Sequence, residues 1–415
     1  MSKNFIDTVF YVVKTGHEMG ISHQTLGDEK FRGGEMHLDT GQKFINFSLC
    51  DYLAISTDER IKQAAMDSIE KNGVYTAVSR TYLKLHAYEE AEDIVSKIFD
   101  KPVIITPRTT LAHISALPVL VEKDDAVILD HQVHTSVRLA SEIVRANGVH
   151  TELLRHNNME RLEDRIKALK EKHRRIWYLA DGVYSMYGDT IPGNEIRALM
   201  NKYEQFYCYV DDAHGMSWRG KNGKGLFLDT TKYHPQFFLT TSLGKGFGAG
   251  GAALVCPDEK IRERIAFTGA PIMFTSPTEP ATLGSIIASA KIHLSPEINE
   301  RQLKLKTHIE YFYRLAKELD IPILSNTETP IVFIATGIPE MTAELCQTLL
   351  GKGFHLTSGT YPAVPYNNSG VRGIINLHQT KENIKDLLYM FRDEYAKILD
   401  KYNTSQAEIL KHYRL

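Results

Sequence analysis

Thr240-Thr241-Ser242-Leu243-Gly244-Lys245-Gly246-Phe247-Gly248-Ala249-Gly250-Gly251 is the stretch on which the rest of the chain turns. Its glycines suggest phosphate, and two nucleotide readings have to be weighed. A P-loop places Ser or Thr directly after its Gly-Lys, but here Lys245 is followed by Gly246. A dinucleotide fingerprint opens a helix, whereas residues 252–255 (AALV) read as another strand. Both fail on context. What remains is a lysine on a small-residue loop between two apolar strands, with hydroxyls just before it. That arrangement suits an amine that must reach a carbonyl, with Ser242 and neighbouring amides free to bind a phosphate. A tight turn with a surface lysine is the plain alternative.

Working outward, short apolar runs recur at 103–105, 126–129, 176–180, 206–210, 237–241 and 252–255. Helical patterns lie between most of them: 134–146 with Leu139 and Ile143, 160–173 with Leu162, Ile166 and Leu169, and 194–204 with Ile196, Met200 and Tyr203. Continuous apolar strands alternating with amphipathic helices predict an α/β domain built on a mainly parallel sheet covered on both faces. Ligands of such sheets collect where strands end and loops begin. Ahead of it, 56–73 predicts a helix opened by a capping box of Ser56 and Glu59 and closed at Gly73, and 87–99 predicts another. Beyond about residue 290, long charged helices (301–318, 381–400) flank strands at 331–335 and 372–377, an α+β pattern. The expected division is an N-terminal segment 1–45 packing with a small C-terminal domain 291–415, around a large domain 46–290.

Composition narrows the classes. Of 415 residues, 43% are hydrophobic and 24% charged, close to the globular average, so a sizeable core is expected. A formal charge of −2 argues against a nucleic-acid partner, which would call for a basic excess. Cys50, Cys208, Cys256 and Cys346 are widely spaced, with no metal-binding pattern, and read as reduced thiols of a cytoplasmic protein. No signal peptide or membrane span is expected.

Three further loops follow apolar strands. Val210-Asp211-Asp212-Ala213-His214-Gly215 puts two acids and a histidine where charge is partly desolvated. Metal binding and carboxylate pairing are options, though adjacent strand residues point to opposite faces. Asp211 and His214 can instead both face a ligand, with Asp212 as a structural cap. Pyridoxal phosphate suits that pair: its pyridine nitrogen stays protonated beside a carboxylate, and its phenolate oxygen accepts from a histidine. Asp130-His131-Gln132-Val133-His134-Thr135-Ser136 offers a histidine that either caps a helix or stacks on a flat ring. Asp181-Gly182-Val183-Tyr184-Ser185-Met186-Tyr187-Gly188-Asp189 offers the Ser185 hydroxyl. Singly each is weak. In series they supply, one by one, the groups a pyridoxal ring needs.

In order and spacing these motifs resemble the α-oxoamine synthase family, pyridoxal-phosphate enzymes of the aspartate-aminotransferase fold (fold type I). The likeness runs from Asp51-Tyr52-Leu53 to Arg372 and beyond, and includes Tyr361-Pro362-Ala363-Val364-Pro365. The resemblance implies that Lys245 joins the cofactor through its amine and later shuttles the substrate α-proton. It also implies that Asp211 serves the pyridine nitrogen and that His134 stacks on the ring. His214 and Ser185 would contact the phenolate oxygen, Ser242 the phosphate, and Arg372 would clamp an amino-acid carboxylate bidentately. Thr275 or Ser276 looks like a phosphate contact given to a partner subunit, which implies a homodimer.

The implied reaction is decarboxylative condensation of an amino acid with an acyl thioester, on CoA or a carrier protein, to an α-aminoketone. An aminotransferase or lyase on the same fold is the alternative. Three positions depart from the family pattern. Arg108-Thr109-Thr110 stands where the family has Ser-Gly-Phe/Tyr; the threonines can still bind phosphate, and Arg108 reads either phosphate or a substrate anion. Cys50 stands in place of an asparagine beside the substrate pocket, and His113 in place of another.

Overall fold

The computed structural model of the chain describes residues 3–413 apart from Asn326. It contains two compact units: one of 55–184 with 190–302, the other of 1–54, 185–189 and 303–415.

The first unit is built on a seven-stranded sheet. Its strand order is Val103–Thr106, Ala252–Val255, Phe237–Ser242, Phe206–Asp211, Ile176–Asp181, Ala126–Asp130, His150–Leu154. From Phe237–Ser242 to His150–Leu154 all neighbours run parallel, and only Ala252–Val255 runs antiparallel to the strands beside it. The mainly parallel α/β architecture of fold type I is therefore what the chain adopts.

The inner strands are buried along their length except at the partly buried Tyr207, as a sheet with helices on both faces requires. One face packs Ile128, Tyr178, Val210 and Leu239 with helix His86–Phe99; the other packs Leu129, Trp177, Tyr209 and Phe238 with helices Thr109–Leu120 and Thr135–Ala146. This alternation sends Asp211 and Asp212, consecutive in sequence, to opposite faces.

Several boundaries correct the sequence reading. Strand His150–Leu154 was not foreseen: it is the sheet's edge, largely exposed, and so lacks an apolar run. The helix expected over 56–73 is Glu59–Asn72, and its cap is Asp58, whose carboxylate accepts the Arg60 N–H, not Ser56; it does end at Gly73. In helix Thr135–Ala146 the buried side is Val137, Ala140 and Val144, while Leu139 and Ile143 face outward.

The second unit holds two three-stranded sheets. One orders Glu35–His37, Lys43–Asn46 and Phe354–His355; the other orders Ile331–Gly337, Ser369–Ile374 and Thr357–Gly359. Helix Lys381–Lys401 buries Ile384, Leu387, Leu388 and Phe391 and opens with a capping box of Thr380 and Asn383. Among the described residues no helix is long and apolar enough to cross a membrane.

Candidate functional site

Four strands of the large sheet end at one edge in Asp130, Asp181, Asp211 and Ser242. Register sets Asp181 beside Asp211 and Asp211 beside Thr240, all on one face. Asp211 is 5% exposed and Asp181 3%. Two buried carboxyls side by side cannot both ionise cheaply, and the surroundings decide between them. Burial pushes Asp181 well above the ordinary carboxyl range, and the charge of Asp211 pushes it further. Burial pushes Asp211 up as well, but His113 with its hydrogen bond, then Lys245, outweigh it and bring Asp211 to about 2. Asp211 is the ionised member. Its Oδ1 accepts the Ala213 N–H at 3.0 Å and its Oδ2 meets His113 Nε2 at 3.0 Å.

Lys245 lies on the turn between strands Phe237–Ser242 and Ala252–Val255. The turn is closed by Gly248 N–H to the Lys245 carbonyl and Ala249 N–H to the Leu243 carbonyl. Gly248 adopts φ +75, and a side chain there would strike Ile55, so the turn can form only with glycine at that point. The half-buried Lys245 carries its Nζ 2.7 Å from His214 Nε2. His214 is held by the turn that follows Asp211, where Gly215 N–H bonds the Asp212 carbonyl and Trp218 Nε1 donates to the His214 carbonyl.

His134 is the N-cap of helix Thr135–Ala146: its Nδ1 accepts from the Ser136 N–H at 3.2 Å, and its own N–H donates to Asp181 Oδ1 at 3.1 Å. The two uses left open for this histidine are thus compatible, since the capped residue is still exposed. Surrounding protein lowers its pKa, chiefly by desolvation, so the ring is neutral. Thr109 and Thr110 begin helix Thr109–Leu120, whose N-terminus has no side-chain cap and no acid in its first turn. Amides of that kind attract phosphate. Arg108, exposed, donates from Nη1 to the Pro107 carbonyl at 2.6 Å. Ser242 is buried, with Oγ accepting the Gly244 N–H at 3.2 Å. The Thr275 hydroxyl donates to the Pro271 carbonyl at 2.6 Å, while Ser276 is exposed.

In the second unit, Arg372 on strand Ser369–Ile374 donates from Nε to the Ser185 carbonyl at 2.6 Å, and its Nη2 lies 4.0 Å from the Cys50 sulfur. Arg372, Ser185 and Cys50, three positions far apart in sequence, are thereby gathered. No carboxylate pairs with this guanidinium among the described residues. His113, which stands where the resembled family has an asparagine, is fully buried, and both its ring nitrogens are engaged within the core.

The fold has known counterparts. The aminotransferase class I and II family matches residues 42–390. An 8-amino-7-oxononanoate synthase of Thermoanaerobacter pseudethanolicus is 30% identical over 361 residues, covering 86% of this chain and 89% of that protein. Its counterpart from Alkaliphilus metalliredigens is 29% identical over 355 residues, covering 85% and 88%. Among solved structures, a serine palmitoyltransferase from S. paucimobilis with bound PLP superposes with TM-score 0.86 at 22% identity, covering 94% of this chain and 98% of that one. The chain belongs to the aminotransferase class I and II family. Within it, the chain falls among the α-oxoamine synthases, whose cofactor is pyridoxal phosphate.

The residues present fit that cofactor. They include an amine on a strand-end turn, an ionised buried carboxylate, a neutral exposed imidazole and an uncapped helix N-terminus. These donors match an aldehyde, a pyridine nitrogen, a flat ring and a phosphate in turn.

Proposed function

We propose that the protein condenses an amino acid with an acyl thioester, releasing the thiol and carbon dioxide to leave an α-aminoketone. The observation that carries this reading is the Lys245 amine, 2.7 Å from His214 Nε2 at the same sheet edge as the ionised Asp211. When bound, pyridoxal phosphate supplies a carbonyl for amines and an electron sink for charge developing at the substrate α-carbon.

The chain's own residues do the rest. Lys245 is the covalent anchor and, once released, the base that takes the substrate α-proton. His214 orients that amine. One of the two nitrogens must accept, so the contact holds either a neutral amine or a neutral imidazole. Asp211 keeps the pyridine nitrogen protonated, which strengthens the electron sink. His134 offers a neutral ring for stacking, which adds no positive charge against the pyridinium. The amides of Thr109 and Thr110, with Ser242, hold the phosphate. Arg372 binds the amino-acid carboxylate, with Cys50 beside it, and Ser185 contributes its hydroxyl to the phenolate oxygen. Arg108, just ahead of Thr109, reads an anion in this proposal, either the phosphate or a substrate group.

The working unit in this reading is a homodimer in which Thr275 completes the partner's phosphate site. Large exposed apolar side chains support it: Tyr82 is 77% exposed, Leu83 70% and Phe274 75%. The cytoplasm is the proposed compartment, supported by four free cysteines, three of them buried.

The reaction is tested by mixing holoprotein with single amino acids and acyl-CoA thioesters and following free thiol and carbon dioxide together. Thiol and carbon dioxide released in equal amounts, each requiring both substrates, is the expected result. A keto acid formed while the thioester stays intact would replace condensation by amino transfer.

A further inference from the structure

His113 lies on helix Thr109–Leu120, 98 residues from Asp211, and is fully buried. Its Nε2 is 3.0 Å from Asp211 Oδ2, its Nδ1 is 2.9 Å from the Tyr209 hydroxyl, and that hydroxyl is 2.6 Å from Thr240 Oγ1. The direction of each bond follows from what the groups can give. An ionised carboxylate only accepts, so Nε2 carries its hydrogen toward Asp211. With His113 as the neutral Nε2–H tautomer, its Nδ1 accepts, and the Tyr209 phenol, which burial holds far above its usual range, keeps a proton to donate there. In that arrangement the Thr240 hydroxyl donates to Tyr209. Every member of the chain Thr240–Tyr209–His113–Asp211 is satisfied, and all of its donors point toward the carboxylate.

The titratable groups around Asp211 are His113 from the helix, Asp181 from the next strand, His134 from its helix cap, Lys245 from the glycine turn, and Tyr209 and Asp212 on its own chain segment. Asp181 has as its partner a backbone amide, from His134. A side-chain donor aimed at one carboxyl of the pair and not at the other is what separates them.

We propose that His113 is a positioning residue for the reaction: its Nε2–H makes Asp211, rather than Asp181, the carboxyl that ionises to serve the cofactor's pyridine nitrogen. This rests on the functional reading above, in which Asp211 serves that nitrogen.

The experiment compares the affinity of the apoprotein for pyridoxal phosphate with that for its 1-deaza analogue, which lacks the ring nitrogen. Three forms are tested: wild type, His113→Phe and Asp181→Asn. A hydrogen bond to a buried charge is worth enough to change affinity by about tenfold. Wild type should prefer pyridoxal phosphate by at least about that factor. His113→Phe should lose most of the preference by weakening pyridoxal phosphate binding while binding of the analogue is retained. Asp181→Asn should keep the preference, because it replaces a carboxyl that is already neutral.

His113→Phe keeping the full preference would overturn the role given to His113, as would Asp181→Asn abolishing it. Equal binding of the two compounds by wild type would instead overturn the reading of Asp211 itself, so the two failures are distinct. If the phenylalanine does not fold, His113→Asn, which keeps a donor, should restore a folded protein with the preference intact, and Asp181→Asn still decides the matter.

Discussion

Asp212→Asn should change how stability depends on pH while leaving the architecture in place. Asp212 points away from Asp211, into a cage where the backbones of Gly182, Gly215 and Gly225 crowd its carboxyl. Its Oδ2 accepts the Phe227 N–H at 3.3 Å, near the start of helix Leu226–Thr231, which is the capping role the sequence suggested. Its Oδ1 has no hydrogen-bond partner among the described residues. Burial, reinforced by the charge of Asp211, raises its pKa from 3.8 to about 8.

The sign follows directly. The unfolded chain gives up this proton near pH 3.8 and the folded chain near pH 8, so the folded state binds more proton in between. Stability from Asp212 is therefore complete at acid pH, falls as pH rises through that window, and levels off above it. A gap of about four pH units at about 1.4 kcal/mol each amounts to about 6 kcal/mol, of which about 2–3 kcal/mol falls between pH 6 and 8. Asparagine cannot ionise, and the cost of burying its amide is the same at every pH. The assay is urea unfolding of the apoprotein, wild type and variant, at pH 6, 7, 8 and 9. Wild-type stability minus that of the variant should drop by about 2–3 kcal/mol from pH 6 to 8 and then flatten. A difference that stays constant or rises with pH refutes the reasoning.

Two other substitutions test the frame around the site. Glu92 and Arg80 form a buried ion pair at 2.8 Å, tied at both ends to Ile105 by its N–H and its carbonyl. Glu92→Ala leaves Arg80 buried without its partner and should cost about 3 kcal/mol in urea unfolding, and Arg80→Ala/Glu92→Ala should cost less than the sum of the two single changes. Arg372→Lys keeps the charge but loses the planar fork, so KM for the amino acid should rise about tenfold or more, with the KM for the acyl thioester little changed. Equal rises in both would remove Arg372 from carboxylate recognition.

Much of this was legible in the sequence because inner strands of a covered sheet have to be apolar up to the end where the site residues sit. Strands such as Ile176–Asp181 and Phe206–Asp211 announce themselves in this way. Strand His150–Leu154 did not, because an edge strand exposed on its outer side carries polar residues. Leu139 and Ile143 misled because the helix buries the smaller Val137, Ala140 and Val144 and turns those two outward. Lys245, Asp211 and His214 could be read from position alone, being polar groups set directly after apolar runs. The contact of His113 with Asp211 could not, since it joins a helix and a strand that nothing local in sequence pairs. The opposition of Asp181 and Asp211 left a fainter sign: each is the acid that ends its strand, and parallel register sets such ends side by side.

The central claim is that one amine in the chain, Lys245, carries the cofactor. The most direct test is borohydride reduction of the protein loaded with pyridoxal phosphate, followed by peptide mass spectrometry. The account predicts a single pyridoxyl phosphate adduct on Lys245, absent from Lys245→Ala. An adduct on another lysine in the wild type, or none at all, would contradict it.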